Sequence, residues 1–160
     1  MGRRNKELTE GKDVAERHKV TLICSRNTID GVYPPLILAL QAARKGAEVS
    51  IFFTFMGIEA IRRGGAAKAR FYPPGFMGAI PGMSRIATRM MLKMAGEKAQ
   101  VPPPADLLEM CRHEGVKFWA CLMTVQMMNL KETDFVEGVT VIDAAGYMDM
   151  ALASKLNLFI

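Results

Sequence analysis

Residues 118–129, FWACLMTVQMMN, set one cysteine where an apolar run ends and a Met-rich, uncharged stretch begins. Cys121 closes the run and precedes a helix-like segment, whose first backbone N–H groups lack partners within the helix and favour a thiolate. A thiol of lowered pKa with partial exposure can attack sulfur, hold it and release it by exchange. The ordinary alternative is a buried structural thiol, because free cysteine is among the most buried residue types. Position alone favours that alternative, so the surrounding residues have to decide.

Two more thiols compete for the role. Cys24 ends the apolar, β-branched run KVTLIC and equally suits the core. Cys111 lies within a helical stretch beside Arg112 and His113 and reads as structural. Three cysteines make an odd number, which argues against a disulfide framework. His18 and His113 are the only histidines, and no CxxC or HxxxH spacing accompanies them, so no metal site is expected. SRNTIDG at 25–31 is a turn that offers N–H groups to an anion, but GxGxxG, GxxxxGK and GxSxG are all missing. No nucleotide or other cofactor is expected.

The elements that position these residues follow from hydrophobic pattern. A chain of 160 residues, half of them apolar, fits one domain with a continuous core. Residues 1–18 form a polar arm without an apolar face or the features of a secretory signal, and 19–160 form the single domain. Strands are expected at 19–24, 47–55, 116–121 and 139–142, with 156–160 either a fifth strand or the continuation of the helix before it. Helices are expected at 35–46, 56–65, 84–95, 105–115 and from Asp143 onward, with a short one after Cys121. Pro34 and Pro35 suit the entry of the first helix better than its interior. Strands alternating with helices imply right-handed crossovers, a mainly parallel sheet of about five strands and helices on both faces: an α/β protein in three α/β/α layers.

Reactive groups in such a sheet gather at the carboxyl ends of the strands. That places Asn27 and Asp30 after the first strand, Thr54 and Gly57 after the second, and Cys121 with Thr124 after the third. No apolar run reaches eighteen residues, so a spanning helix is not expected and a cytoplasmic protein is the default.

Charge is uneven. Eight lysines and arginines between Arg62 and Lys98 face Glu97 alone, which leaves the rest of the chain at −2 within a total of +5. This basic, Met-rich insertion at about 66–100 carries Met83, Ile86, Met90 and Met94 on one helical face, for which core packing is the ordinary reading. Arg85, Arg89 and Lys93 recur four apart on another face. A basic amphipathic helix between Pro/Gly hinges suits a lid, a partner-docking helix or a peripheral membrane contact. The apolar content around 71–94 points to self-association. Nucleic acid is not expected, since no RNP-like pattern accompanies Phe71, Tyr72 and Phe76.

The run IDGVYPPLILALQAARKGAEVSIFFTFMGIEAI resembles the DsrE/DsrF-like sulfur-relay family, in its stand-alone DsrE-type branch. So do GMSRIATRMMLKM, FWACLMTVQMMNLKETDFVEGV and the ending in NLFI, and the likeness extends from Lys19 to Ile160. Its most specific parts are the SIFFTF strand with the following Gly57 and the ACxMT segment. The resemblance implies a flavodoxin-like sandwich that assembles into homo- or hetero-oligomers. It implies that Cys121 is the sulfur-binding cysteine, carrying a persulfide or thiosulfonate; the strand-end placement adds Thr124, Thr54, Gly57, Asn27 and Asp30 as supporting residues, and a redox sensor that pairs Cys121 with Cys24 as a second thiol is a further reading. The resemblance also implies a sulfane sulfur donor and an acceptor thiol, such as a rhodanese or a TusA-like carrier. Many relatives have an acidic residue where this chain has Gln126. The residues fit both a sulfurtransferase and a stoichiometric sulfur carrier. A reading from another class makes the chain a non-catalytic module that binds a protein or membrane surface through the basic Met-rich helix.

Overall fold

The structure, a computed structural model, describes residues 17–160; the polar arm proposed for 1–18 lies almost wholly outside them. Five strands, β1 (Lys19–Cys24), β2 (Glu48–Phe53), β3 (Lys117–Cys121), β4 (Val139–Ile142) and β5 (Leu156–Phe159), form one sheet in the order β4-β3-β2-β1-β5. Every pair is parallel. The first three crossovers step in one direction, and the last carries the chain back to the far side of β1. The helices are α1 (Ile29–Arg44), α2 (Met83–Ala99), α3 (Pro104–His113), α4 (Leu122–Met127) and α5 (Ala144–Leu152). This is the three-layer α/β architecture that the alternation of strands and helices predicts. LNLFI is the fifth strand, not a helical continuation.

The pleat decides what each face does. Leu22, Cys24, Ile51, Phe53, Phe118 and Ala120 are buried in the main core with Val32, Leu36, Leu40, Leu107 and Leu108 of α1 and α3. Neighbouring side chains along a strand point oppositely, so Phe52 and Cys121 emerge on the other face, where Tyr147 of α5 covers them. The Tyr147 ring stacks on Phe52 with centroids 4.5 Å apart. Asp143 opens α5 by accepting the Gly146 N–H at 2.8 Å.

Three expectations need correction. First, α1 begins at Ile29, and Pro34 and Pro35 lie inside it. The missing N–H groups cost two early helical hydrogen bonds, but Ile29, Val32, Pro35 and Leu36 form a continuous buried stripe whose removal from water holds the first turns helical. Second, the short helix after β2 is a 3-10 helix that ends at Ile61, Phe55–Ile61, rather than running to residue 65. Third, the Met-rich stripe is not core: Ile86, Met90 and Met94 of α2 are exposed, and Ala87 is the buried residue of that helix. Among the described residues, no helix is long and apolar enough to cross a membrane.

Candidate functional site

The carboxyl end of β3 builds the site. Register pairs Phe53 with Ala120, so the next residues on the two strands, Thr54 and Cys121, stand side by side on the α5 face. Cys121 is the N-cap of α4, and its extended backbone (φ −66°, ψ 118°) turns directly into that helix. The thiol therefore meets donors from two elements. The hydroxyls of Thr124 and Thr54 and the backbone N–H groups of Thr124 and Met123 lie near enough to the sulfur to favour its anion, although the thiol makes no capping hydrogen bond to α4.

Burial pushes the Cys121 thiol up, since a charged sulfur loses water, but the four donors together outweigh burial and hold the group below its ordinary value. Thr124 is fully buried, and its Oγ1 accepts the Phe55 N–H at 3.0 Å. With one lone pair so engaged, its own proton is free for the sulfur. Phe55 reaches that position with φ 45°, a left-handed conformation unusual for an aromatic residue. Strain of this kind, on the order of 1–3 kcal/mol, persists where surrounding contacts hold it.

The other two thiols are different in kind. Cys24 is buried on the opposite face of the sheet and donates to the Gly31 carbonyl at 3.7 Å; burial pushes it up to about 12. Cys111 donates to the Leu36 carbonyl at 3.3 Å and is likewise pushed up to about 12 by burial. All three are free. With Cys24 and Cys121 on opposite faces of β-strands separated by β2, their pairing as a redox couple has no geometric support.

Accessibility differs from expectation. Cys121 is 5% exposed, less than the partial exposure anticipated for a working thiol. The cause is the pleat, which sends the sulfur under Tyr147 and Phe52. At the strand end beside it Phe55, Met56 and Met123 are exposed.

The remaining sequence candidates divide. Gly57 sits beside Thr54, whose carbonyl accepts its N–H at 3.0 Å, but its glycine has a packing cause: a Cβ there would stand 2.2 Å from the Cys24 carbonyl oxygen. Asn27 lies in the turn between β1 and α1 and Asp30 in the first turn of α1, and neither shares a hydrogen bond with Cys121 among the described residues. The crevice between β1 and β5, where the direction of strand order reverses and ligands gather in open sheets, is closed by Ile160. Its carbonyl takes both the N–H and the hydroxyl of Ser25, each at 3.1 Å. Gln126 is exposed on α4. Among the described residues, no group of three His, Cys, Asp or Glu side chains stands close enough to hold a metal ion.

Sequence reasoning missed Phe55, Met123 and Tyr147. The first two act through backbone N–H groups, which residue type does not reveal. Tyr147 reaches the cysteine only through the crossover of α5 to the opposite face.

Residues 16–159 match the DsrE/DsrF/DrsH-like family. The chain belongs to that family. It is 33% identical over 161 residues to the sulfur carrier protein DsrE2 of Allochromatium vinosum, covering 91% of this chain and 99% of that protein. It is 29% identical over 157 residues to the protein YrkE of Bacillus subtilis, covering 89% and 96% of the two chains. Among solved structures, YchN of E. coli superposes with a TM-score of 0.61 at 12% identity, covering 89% of this chain and 99% of that one. BT1422 of Bacteroides thetaiotaomicron superposes with a TM-score of 0.54 at 12% identity, covering 89% and 95%. Identities this low speak for the shared fold alone. The fold of this family member is therefore that of its solved neighbours.

Proposed function

We propose that this family member is a sulfur-relay protein in which Cys121 holds sulfane sulfur and passes it to an acceptor thiol. The observation that carries the reading is the thiol of Cys121 at the end of β3 and the start of α4, held below its ordinary pKa by nearby threonine hydroxyls and backbone N–H groups while the other two thiols are pushed up. Donors of that kind stabilise an anionic sulfur both as thiolate and as persulfide. Similarity to a sulfur carrier protein over nearly the whole of both chains supports the same reading.

The chemistry balances without an external oxidant. The Cys121 thiolate attacks the outer sulfur of a donor R–S–SH, the donor S–S bond breaks, R–S⁻ leaves, and Cys121–S–SH forms. An acceptor thiolate then attacks that outer sulfur, forms its own persulfide, and restores the Cys121 thiolate. With tetrathionate, attack at a central sulfur releases thiosulfate and leaves a thiosulfonate, Cys121–S–S–SO₃⁻. The tight cover of Phe52 and Tyr147 favours small donors, or a donor cysteine presented on an extended loop, over bulky ones. A rhodanese or TusA-like carrier fits the second description.

Cyanolysis tests the proposal. After exposure to polysulfide and removal of excess reagent, cyanide should release about one thiocyanate per chain from the wild type. Cys24→Ser and Cys111→Ser should release the same amount and Cys121→Ser essentially none. Equal release from wild type and Cys121→Ser would overturn the assignment.

A further inference from the structure

We propose that α2 and the turn before it form a docking element for an anionic lipid surface. The inference stands apart from the sulfur chemistry. It starts from the exposure of side chains that water disfavours: Ile86 is 66% exposed, Met90 60% and Met94 43%. At 100° per residue these three lie along one stripe of the helix. Arg85, Arg89 and Lys93 form a second stripe immediately beside it, and a shallow groove runs between the two. The helix turns its opposite side, at Ala87, Met91 and Leu92, toward the rest of the protein. Just before it, the Pro/Gly-rich turn ending in the 3-10 helix Gly75–Ala79 exposes Phe76, Met77 and Ile80. Apolar side chains and cations thus share the outward side of one continuous segment, 72–94.

Charge selects the occupant. Glu97 is the only acid on α2, and it already lies 3.8 Å from Lys93. Packing this face antiparallel against a second copy would set Arg85, Arg89 and Lys93 of one chain along the same three cations of the other, and like charges so placed are unfavourable. An anionic bilayer surface accepts both stripes together. The methionines, Ile86 and Phe76 enter the boundary between headgroups and acyl chains, and the long cationic side chains reach back to the phosphates. Each cation near such a surface contributes about 1 kcal/mol, so three together change the partition constant about a hundredfold.

Vesicle flotation of the full chain tests this. Wild type is expected to float with vesicles of 70% phosphatidylcholine and 30% phosphatidylglycerol, to remain unbound with phosphatidylcholine alone, and to detach as salt is raised. Arg85→Glu with Arg89→Glu and Lys93→Glu should lose about a hundredfold in partition or more. Ile86→Ser with Met90→Ser and Met94→Ser should also lose at least tenfold, because the apolar stripe supplies part of the attachment. All six sites are exposed, so both variants should unfold at the wild-type urea midpoint and load sulfur on Cys121 normally. Absence of flotation with anionic vesicles overturns the proposal and leaves the basic face to an acidic protein. Binding that survives the apolar substitutions overturns it too, since charge alone would then account for adhesion.

Discussion

At the residue scale, the account rests on what surrounds one sulfur. Cys24 and Cys121 occupy equivalent places at the ends of β1 and β3 in the sequence, yet burial leaves one thiol near 12 and four donors bring the other below its ordinary value. Alkylation by iodoacetamide should therefore concentrate on Cys121. Its rate should climb with pH and level off once the thiolate is fully formed, with a midpoint below that of an ordinary cysteine thiol. Thr124→Val removes a hydroxyl donor to the sulfur and the acceptor of the Phe55 N–H. A hydrogen bond to a charged group contributes about 1.5–3 kcal/mol, so the rate at neutral pH should fall about tenfold and the midpoint should move up. Thr124→Ser should restore most of both. An unchanged pH profile in the valine variant would show that the hydroxyl does not act on the thiolate. The placement of Cys121 at a strand end, with the Thr124 hydroxyl three residues on, was legible in the sequence. The Phe55 and Met123 N–H groups were not, because backbone geometry carries no residue-type signal.

At the element scale, strands and helices followed from apolar runs and Gly/Pro punctuation, and the departures are places where tertiary burial prevailed. Pro34 and Pro35 read as a helix entry by local rules, but the buried stripe of Ile29, Val32, Pro35 and Leu36 starts α1 earlier. The Met-rich face of α2 read as core by periodicity, which reports that a helix has two sides without saying which one the protein covers. Gly57 read as a site residue, and it proves to let the 3-10 helix Phe55–Ile61 approach the end of β1. Gly57→Ala should cost about 1–3 kcal/mol by overpacking against the Cys24 carbonyl. A urea midpoint equal to the wild type's would contradict that packing. The same variant should slow Cys121 alkylation, because Thr54 and Phe55 lead directly into the displaced segment.

At the scale of the whole molecule, the layer architecture was legible and the strand order was not. Nothing local in LNLFI states that β5 pairs with β1, more than a hundred residues earlier, yet that return is what carries α5 across the face where Cys121 emerges. Tyr147→Ala should cost about 3–5 kcal/mol through the lost burial of the ring, the cavity left behind and the lost stack on Phe52. It should also speed the reaction of Cys121 with a bulky maleimide more than with iodoacetamide. Equal acceleration for both reagents would show that Tyr147 is no steric cover. Leu152 of α5 and Phe159 of β5 are largely exposed, as are Phe55, Met56, Met123 and Met127 near the site. Apolar exposure on this scale predicts assembly of several copies, and sedimentation velocity across a wide concentration range should show species larger than the monomer. A single monomeric boundary at every concentration would refute self-association.

The most direct test of sulfur carriage is intact-protein mass spectrometry after incubation with polysulfide, and separately with tetrathionate. Wild type should gain one persulfide sulfur in the first case and one thiosulfonate group in the second, both removed by dithiothreitol. Cys24→Ser and Cys111→Ser should gain the same adducts, and Cys121→Ser neither. No adduct on the wild type, or adducts spread evenly over the three cysteines, would contradict the account.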